Sequence, residues 1–335
     1  MRFFKRSEQG PQGVDFWTWW AGARERIAIA IETQTIDAKL VDEISRAVNH
    51  VDRRLAWELA PGRTATHALC ITPEGNSEVR PAALRWLASA PAADSVWEYH
   101  ASRQASGAGR GLEIGGVRFD LDETRAIASW DATRRRVDVR LWHPAFASAP
   151  EAVRQQVCFL FLDSLLGEDD VERWIGQIEP LDAASGGRTP EELKAEVTRR
   201  AQEPVGETWI LAERQGPRGP VGVVLADAAL KRIDHPFADQ HVAITIVIEG
   251  GGMPDGTLAE QLNAEEDRLV RLLQDAATLA GRETSPGARV IHFVAEDLDR
   301  ARAGIDAWAA DAPEWRVKVN FQHDPAWEFR RELGV

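Results

Sequence analysis

The chain predicts an α+β protein of two domains, each an antiparallel sheet with helices on one face, the second of them a ferredoxin-like sandwich. Three observations predict this. At 335 residues the chain exceeds one ordinary core and suits two. Arg136–Trp142 and Trp315–Gln322 alternate apolar and polar residues with the period of two that marks a strand with one wet face. Elsewhere apolar residues recur at helical spacing, most clearly Leu258, Leu262, Leu269, Leu272, Leu273 and Ala276.

The small-residue stretch Asp182–Thr189 sets the boundary. Residues 1–182 then form an N-terminal α+β domain, 183–205 a linker with a short helix, and 206–335 the C-terminal domain. Thr189, Pro190 and Glu192 occupy the N-cap, first and third positions of a capping box, which predicts a helix to about Gln202.

In the first domain Asp15 caps a helix carrying Phe16, Trp19, Trp20 and Ile27, and a second helix spans about Ile36–Leu55. Strands fall near Ala68–Thr72 and Val96–Ser102, with a helix around Pro81–Ser89 between them. Leu112–Leu121 reads as strand–turn–strand about Gly115-Gly116, and Ala126–Asp131 is the next strand. Arg136–Trp142 turns Val137, Val139 and Leu141 inward. Glu151–Leu166 is a helix, the acidic Gly167–Asp170 a turn, and Trp174–Leu181 closes the unit.

In the second domain Val221–Ala226 and Val242–Glu249 are strands, Leu258–Ala276 a helix and Val290–Ala295 a strand. Leu298, Ala301, Ile305 and Trp308 mark one stripe of a further helix. The closing strand turns Trp315, Val317, Val319 and Phe321 inward. An order of strand–helix–strand–strand–helix–strand with antiparallel alternation predicts the ferredoxin-like plan, in which two helices cover one sheet face and leave the other open. Yet Val242–Ile248 is apolar or small on both faces. Part of the second face therefore needs a cover, whether the first domain, a second copy or a partner. The candidate interaction surface is Ala243, Thr245 and Val247 with the outward Arg316, Lys318 and Asn320.

Composition narrows the function classes. The net charge of −13 divides as −5 over residues 1–182 and −8 over 206–335, so no basic stripe offers counterion release and nucleic acid is an unfavourable partner. The thirteen Trp, spread from Trp17 to Trp327, read as core anchors rather than one aromatic cage. Cys70 and Cys158, the only cysteines, read as reduced buried thiols of a cytoplasmic protein. The basic Met1–Glu8 start has no apolar run behind it, and no stretch reaches the ~20 apolar residues of a membrane span.

No motif names a catalyst. Glu249–Thr257 lies between a strand and a helix but lacks the Lys and the glycine spacing of a phosphate loop, and reads as a loop ending in a Thr257 cap. Ala105–Gly116 reads as a hairpin or disordered loop. In His323-Asp324-Pro325, Asp324 reads as a cap, Pro325 as the first helical residue and Glu328 as a first-turn acid, with Trp327 packing back onto the sheet. Asp234-His235-Pro236 reads as a turn. The eight His include no i, i+4 pair, so His241 and His292 read as ordinary strand histidines. Glu168-Asp169-Asp170 and Glu265-Glu266-Asp267 read as solvated acidic triplets. No catalytic residue, cofactor or metal is expected.

Trp209, the Gly219–Leu225 strand, the strand at Val242, the Glu266–Leu273 helix, Gly281-Arg282 with Arg289–Phe293, and Asp324-Pro325-x-Trp327-Glu328 follow one another in an order that resembles the bacterial family of unknown function DUF695, over about residues 206–335. Such proteins commonly place Tyr where this chain has Phe293 and Val294, so no role for that hydroxyl carries over. Phe16-Trp17-x-Trp19-Trp20 and Phe161-Leu162-Asp163 with Gly167-Glu168 give the first half a fainter likeness to other uncharacterised bacterial proteins. The resemblance implies a regulatory or adaptor role by analogy. The expected function is a non-catalytic interaction or regulatory protein that binds a protein partner or a second copy through an open sheet face or interdomain groove. The alternative is a hydrolase whose site is assembled from dispersed residues such as His292 or His323 with nearby acids.

Overall fold

The computed structural model describes residues 15–106, 111–114, 116–183, 186–206, 208–216 and 219–334. Met1–Glu8, Gly115 of the expected hairpin turn and residues 107–110 of the Gly-rich stretch lie outside the described residues. The chain divides into two compact units, one ending at Ala105 and the other beginning at Ser106.

The first unit runs α1 (Phe16–Glu32), α2 (Ala38–Val51), β1 (Ala56–Pro61), β2 (His67–Thr72), α3 (Arg80–Ala88) and β3 (Trp97–His100). Its three-stranded sheet has the order β1-β2-β3. The expected helices are present, and α2 is capped where Asp37 accepts the Leu40 N–H at 2.8 Å. The sequence pattern missed β1. Its core gathers the aromatic residues of the opening helix: Trp20 and Trp97 are fully buried, and Trp20 Nε1 donates to the Tyr99 hydroxyl at 3.0 Å. Trp17 stacks on Trp86 with ring centroids 4.7 Å apart. The Trp side chains are thus core anchors, but this unit concentrates them.

Among the described residues the second unit holds two sheets of three or more strands. A hairpin of β4 (Gly111–Ile114) and β5 (Val117–Asp120) leads into β6 (Arg125–Asp131), β7 (Arg136–Trp142), α4 (Glu151–Leu166), α5 (Glu168–Trp174), β8 (Ile175–Pro180) and α6 (Pro190–Ala201). The sheet β6-β7-β8 buries Val137, Val139 and Leu141 as the alternation requires. Then follow β9 (Trp209–Gly216), β10 (Gly219–Asp227), β11 (Gln240–Val247), α7 (Gly256–Leu273), β12 (Ala277–Ser285), β13 (Ala288–Ala295), α8 (Leu298–Asp311), β14 (Val317–His323) and α9 (Phe329–Leu333). Six of these strands form one sheet in the order β14-β11-β13-β12-β10-β9, antiparallel at every pairing.

Several expectations need correction. Residues 106–182 and the Asp182–Thr189 stretch fall in the second compact unit and share no core with the first. That stretch lies inside the second unit, where Arg188 exchanges backbone hydrogen bonds with Ala126 at 2.8 and 3.0 Å. The capping box of Thr189 and Glu192 is formed, but α6 is no free linker helix: Leu193 and Val197 are buried in the core under β6–β8. The sheets are not all antiparallel. β2 pairs with β3, and β7 with β8, in parallel, because a helical crossover (α3, or α4 and α5) returns the chain to the same end of the sheet. Gly167–Asp170 is not a solvated turn; it opens α5, with Glu168 only 4% exposed. Leu272 faces solvent instead of the core.

Cys70 and Cys158 are buried free thiols, and burial pushes the Cys158 thiol up to about 12. Among the described residues no helix is long and apolar enough to cross a membrane.

Glu98 on β3 ties the first unit together. Its carboxylate accepts the Arg63, Thr64 and Ala65 N–H groups at 2.8, 2.8 and 3.0 Å and the Thr64 hydroxyl at 2.7 Å. The loop can wrap it because Gly62 has no side chain: a Cβ there would sit 2.4 Å from the Ala65 carbonyl oxygen. Burial raises this carboxyl, but the Arg63 N–H, His100 and Thr64 outweigh it and hold it far below the usual carboxylate range. A depressed folded value contributes stability that is complete above the unfolded pKa of about 4.3 and is lost as pH falls toward the folded value. Glu98→Gln should cost about 2–4 kcal/mol near neutral pH, and the loss should shrink on acidification. Denaturant titrations at pH 7 and pH 3 check this; an unchanged difference between the two would refute the role given to the charge.

Candidate functional site

The central strand β11 fixes the geometry. Across the ladder Ala243 opposes His292 on β13 and Asn320 on β14, while Thr245 opposes Val290 and Lys318. Directly opposed residues point to the same side of a sheet. Ala243, Thr245, Val247, Lys318 and Asn320 therefore share one face, while Val242, Ile244 and Ile246 are fully buried on the other against α7 and α8. Arg316, two residues before Lys318, accepts the Val247 N–H at its carbonyl at 2.9 Å. The six residues singled out in the sequence thus form one patch, with Ala243, Thr245 and Val247 half-buried and Arg316, Lys318 and Asn320 exposed. β14 ends the strand order, so among the described residues its outer edge pairs with no strand. Its inward side is only partly covered: Val319 is 36% exposed, and the Arg302 guanidinium lies 3.9 Å from the centre of the Phe321 ring.

The other end of this face is covered by the chain itself. Asp324 accepts the Glu328 and Phe329 N–H groups at 2.9 and 3.1 Å, which turns the chain back over the sheet. The helix begins at Phe329, four residues later than expected, so Pro325 is not its first residue and Glu328 stands at its N-cap. Trp327 packs back as expected, with Nε1 donating to the Ala238 carbonyl at 2.7 Å. It occupies the left-handed region at φ 56°, a strained conformation held by that bond and by its burial. Trp327, Phe329 and Leu333 form a second core with Val224, Ala226, Ala280 and Val294.

Beneath Phe329 lies a pair that the sequence did not bring together. His241 Nε2 and His292 Nδ1 are 3.0 Å apart, the rings lie nearly parallel, and Phe329 stacks on His241 at 4.0 Å. Each histidine is 7% exposed. His292 Nε2 is 3.4 Å from Glu283, which also pairs with Arg214. Burial pushes His241 down to about 4, helped by the neighbouring His292 and opposed by Asp324. Glu283 is held below its ordinary value by His292, 3.4 Å away, against burial and with Arg214 adding to it. His241 is therefore neutral at pH 7, and the pair shares one ring N–H. His323 is not part of this group; it is exposed, 3.0 Å from Gln240 Nε2 and 3.8 Å from Asp239.

On the helical side, the acidic triplet expected in solvent is partly internal. Glu266 is 6% exposed and pairs with Arg282 at 2.8 Å, and burial raises its carboxyl against that pairing. Arg289, 4% exposed, donates to Thr284 at 3.1 Å and Asn263 at 2.7 Å. Glu265 accepts the Trp308 Nε1–H at 2.7 Å. The loop after β11 ends in a cap as expected, but the cap is Asp255, which accepts the Leu258 N–H at 2.9 Å, rather than Thr257. Asp234-His235-Pro236 lies in a turn, with His235 Nδ1 3.2 Å from Glu296. Among the described residues no three His, Cys, Asp or Glu side chains converge as a metal site.

These features define an α+β domain whose six-stranded antiparallel sheet carries two helices on one face and its own C-terminal segment on the other. Residues 230–333 match the model of the family of unknown function DUF695, and this part of the chain is a DUF695 domain. The match begins after β10, so β9 and β10 lie outside it, and the N-terminal half matches no family model. No curated protein and no solved structure matches the chain.

The histidine pair makes the C-terminal cover acid-sensitive. His241 must gain a proton on unfolding at any pH between its folded value of about 4 and the ordinary ~6.5, so stability is complete above ~6.5 and falls as pH drops through that window. His241→Phe should preserve the stacking and remove on the order of 1–2 kcal/mol of this pH dependence. Thermal melts at pH 7.5 and 4.5 check it; parallel slopes for the two proteins would refute the assignment.

Proposed function

We propose that the chain is a non-catalytic cytoplasmic interaction protein that binds an acidic, extended segment of another protein along β14 and the adjoining open face. The observation that carries this reading is the unpaired edge of β14 with Arg316, Lys318 and Asn320 exposed beside the half-buried Ala243, Thr245 and Val247. An exposed edge strand offers a row of backbone donors and acceptors to an incoming strand. Two cations on that margin, in a chain of net charge −13, favour an acidic segment over a second copy of the chain.

The same region is best read as a ferredoxin-like sandwich. In support of this, the elements β11, α7, β12, β13, α8 and β14 follow one another with the strand order β14-β11-β13-β12, and β10 and β9 extend the sheet beyond it. The hydrolase alternative is the weaker reading. Its best cluster, His292 with Glu283, lies beside a His241 that Phe329 stacks upon, so a substrate would first have to displace the C-terminal segment.

A photo-crosslinking side chain at Asn320, with Arg271 on α7 as the control position, tests the binding reading in cell extract. A single acidic protein joined from position 320 and not from 271, and lost in the folded double variant R316E/K318E, is the expected outcome. Self-crosslinks only would replace the partner with a second copy. Labelling indifferent to position or to the charge reversal would overturn the proposal.

A further inference from the structure

Within the second unit, a cavity of about 330 Å³ opens where the turn between β6 and β7, α5, the turn after β10 and the C-terminal segment meet. Its wall carries five guanidinium groups, from Arg134, Arg136, Arg232, Arg330 and Arg331, and one carboxylate, Glu172. For a protein of net charge −13 this is a concentration of the opposite sign.

The cations are held in place by the protein. Arg136 Nη1 donates to the carbonyls of Glu172 and Ile175 at 2.8 and 2.7 Å. Arg330 Nη2 donates to the Asp227 carbonyl at 2.9 Å. Arg134 is gripped by Asp131 at 2.7 Å and Asp138 at 3.2 Å, and Arg232 pairs with Glu172. Five guanidiniums face Glu172, Asp131, Asp138 and, at Arg330, Asp227, so the cations of the wall outnumber these carboxylates. Arg330 Nη1 is buried and, among the described residues, has no hydrogen-bond partner. A desolvated charged donor without an acceptor is costly, and it marks where an acceptor belongs. Behind the wall the Lys231 ammonium sits 3.8 Å from the Trp174 ring and donates to the Arg135 carbonyl at 2.9 Å. Burial, then Arg136, brings it down to about 7, as a locally positive field requires.

We propose that this cavity is a binding site for a phosphate group, free or on a small ester. A phosphate monoester carries about two negative charges near neutral pH and several acceptor oxygens, which suits a positive wall and the fork geometry of guanidinium donors. The volume lies at the lower end of small-ligand pockets, about 300–1,000 Å³, so the ligand is a small body and not a polymer. Ile233, Leu230 and Trp327 supply the apolar part of the wall, against which the body of an ester would pack. The proposal is independent of the β14 surface, since none of the cavity residues belongs to it.

Isothermal titration of the full chain with inorganic phosphate and with pyrophosphate, at ionic strength matched with chloride, tests it. Saturable binding by at least one of the two is expected. Arg331→Gln, on an exposed side chain, should weaken it by on the order of tenfold without changing the melting temperature. Arg330→Gln should abolish it; Arg134→Gln serves as the second variant if that protein fails to fold. Succinate is the competing class, and saturation by succinate without either phosphate would overturn the assignment. So would heat no greater than that of chloride, or binding by the variants equal to the parent's.

Discussion

A sheet with apolar residues on both faces must be covered twice, and much of the second unit follows from that constraint. Val242, Ile244 and Ile246 of β11 are buried beneath α7 and α8, with Ile291 and Phe293 of β13 beside them. Val294, next to Phe293, points the other way and cannot use the same helices. The solution is covalent and short. Asp324 turns the chain, and the Trp327–Leu333 segment lies down over Val224, Ala226, Ala280 and Val294. Burying Trp327 and Phe329 there removes large apolar surfaces from water at both ends of the exchange. The C-terminal segment thus closes the β10, β12 and β13 part of this face from within the chain. The portion left half-covered is the Ala243–Val247 end beside β14.

Local physics made most elements legible, and non-local physics hid the rest. The capping box at Thr189, the alternation of Arg136–Trp142 and the stripe of α8 are properties of neighbouring residues, and all three are present. The parallel pairings β2–β3 and β7–β8 depend on where a crossover returns, which no residue pattern along one strand records. β1 was missed because its residues are half-buried without a clean alternation. The boundary at Asp182–Thr189 looked like a linker because small residues are cheap to leave unpaired, yet Arg188 is tied to β6 and Leu193 fills a core. The six patch residues could be gathered because β11 and β14 each alternate and happen to be neighbours. His241 and His292, 51 positions apart, needed the register of the ladder.

Buried charge is where composition misled most. Glu168 and Glu266 lie in acidic triplets that read as solvated, yet each is no more than 6% exposed, and Arg289 is buried as well. A charge can be internal only if its partner is already in place. Arg282 and Asn263 serve that purpose for Glu266 and Arg289 across the α7–sheet interface. Such pairs fix the helix's register on the sheet more firmly than apolar contacts alone, because a one-turn slip would strand both charges.

The same C-terminal segment serves the second core and the arginine cavity. Phe329 stacks on His241 over the sheet, while Arg330 and Arg331, its neighbours on a short helix, line the cavity beside Trp327. Successive residues on a helix point in different directions, so one segment can hold the sheet face with one side and present cations with another. Trp327 belongs to both sets, with its left-handed backbone and its indole bonded to the Ala238 carbonyl. An anion seated on Arg330 would add an attachment to the segment that covers the sheet, and protonation of His241 would remove one. Binding of the proposed anion would therefore be linked to the geometry of the cover through the Trp327–Leu333 segment.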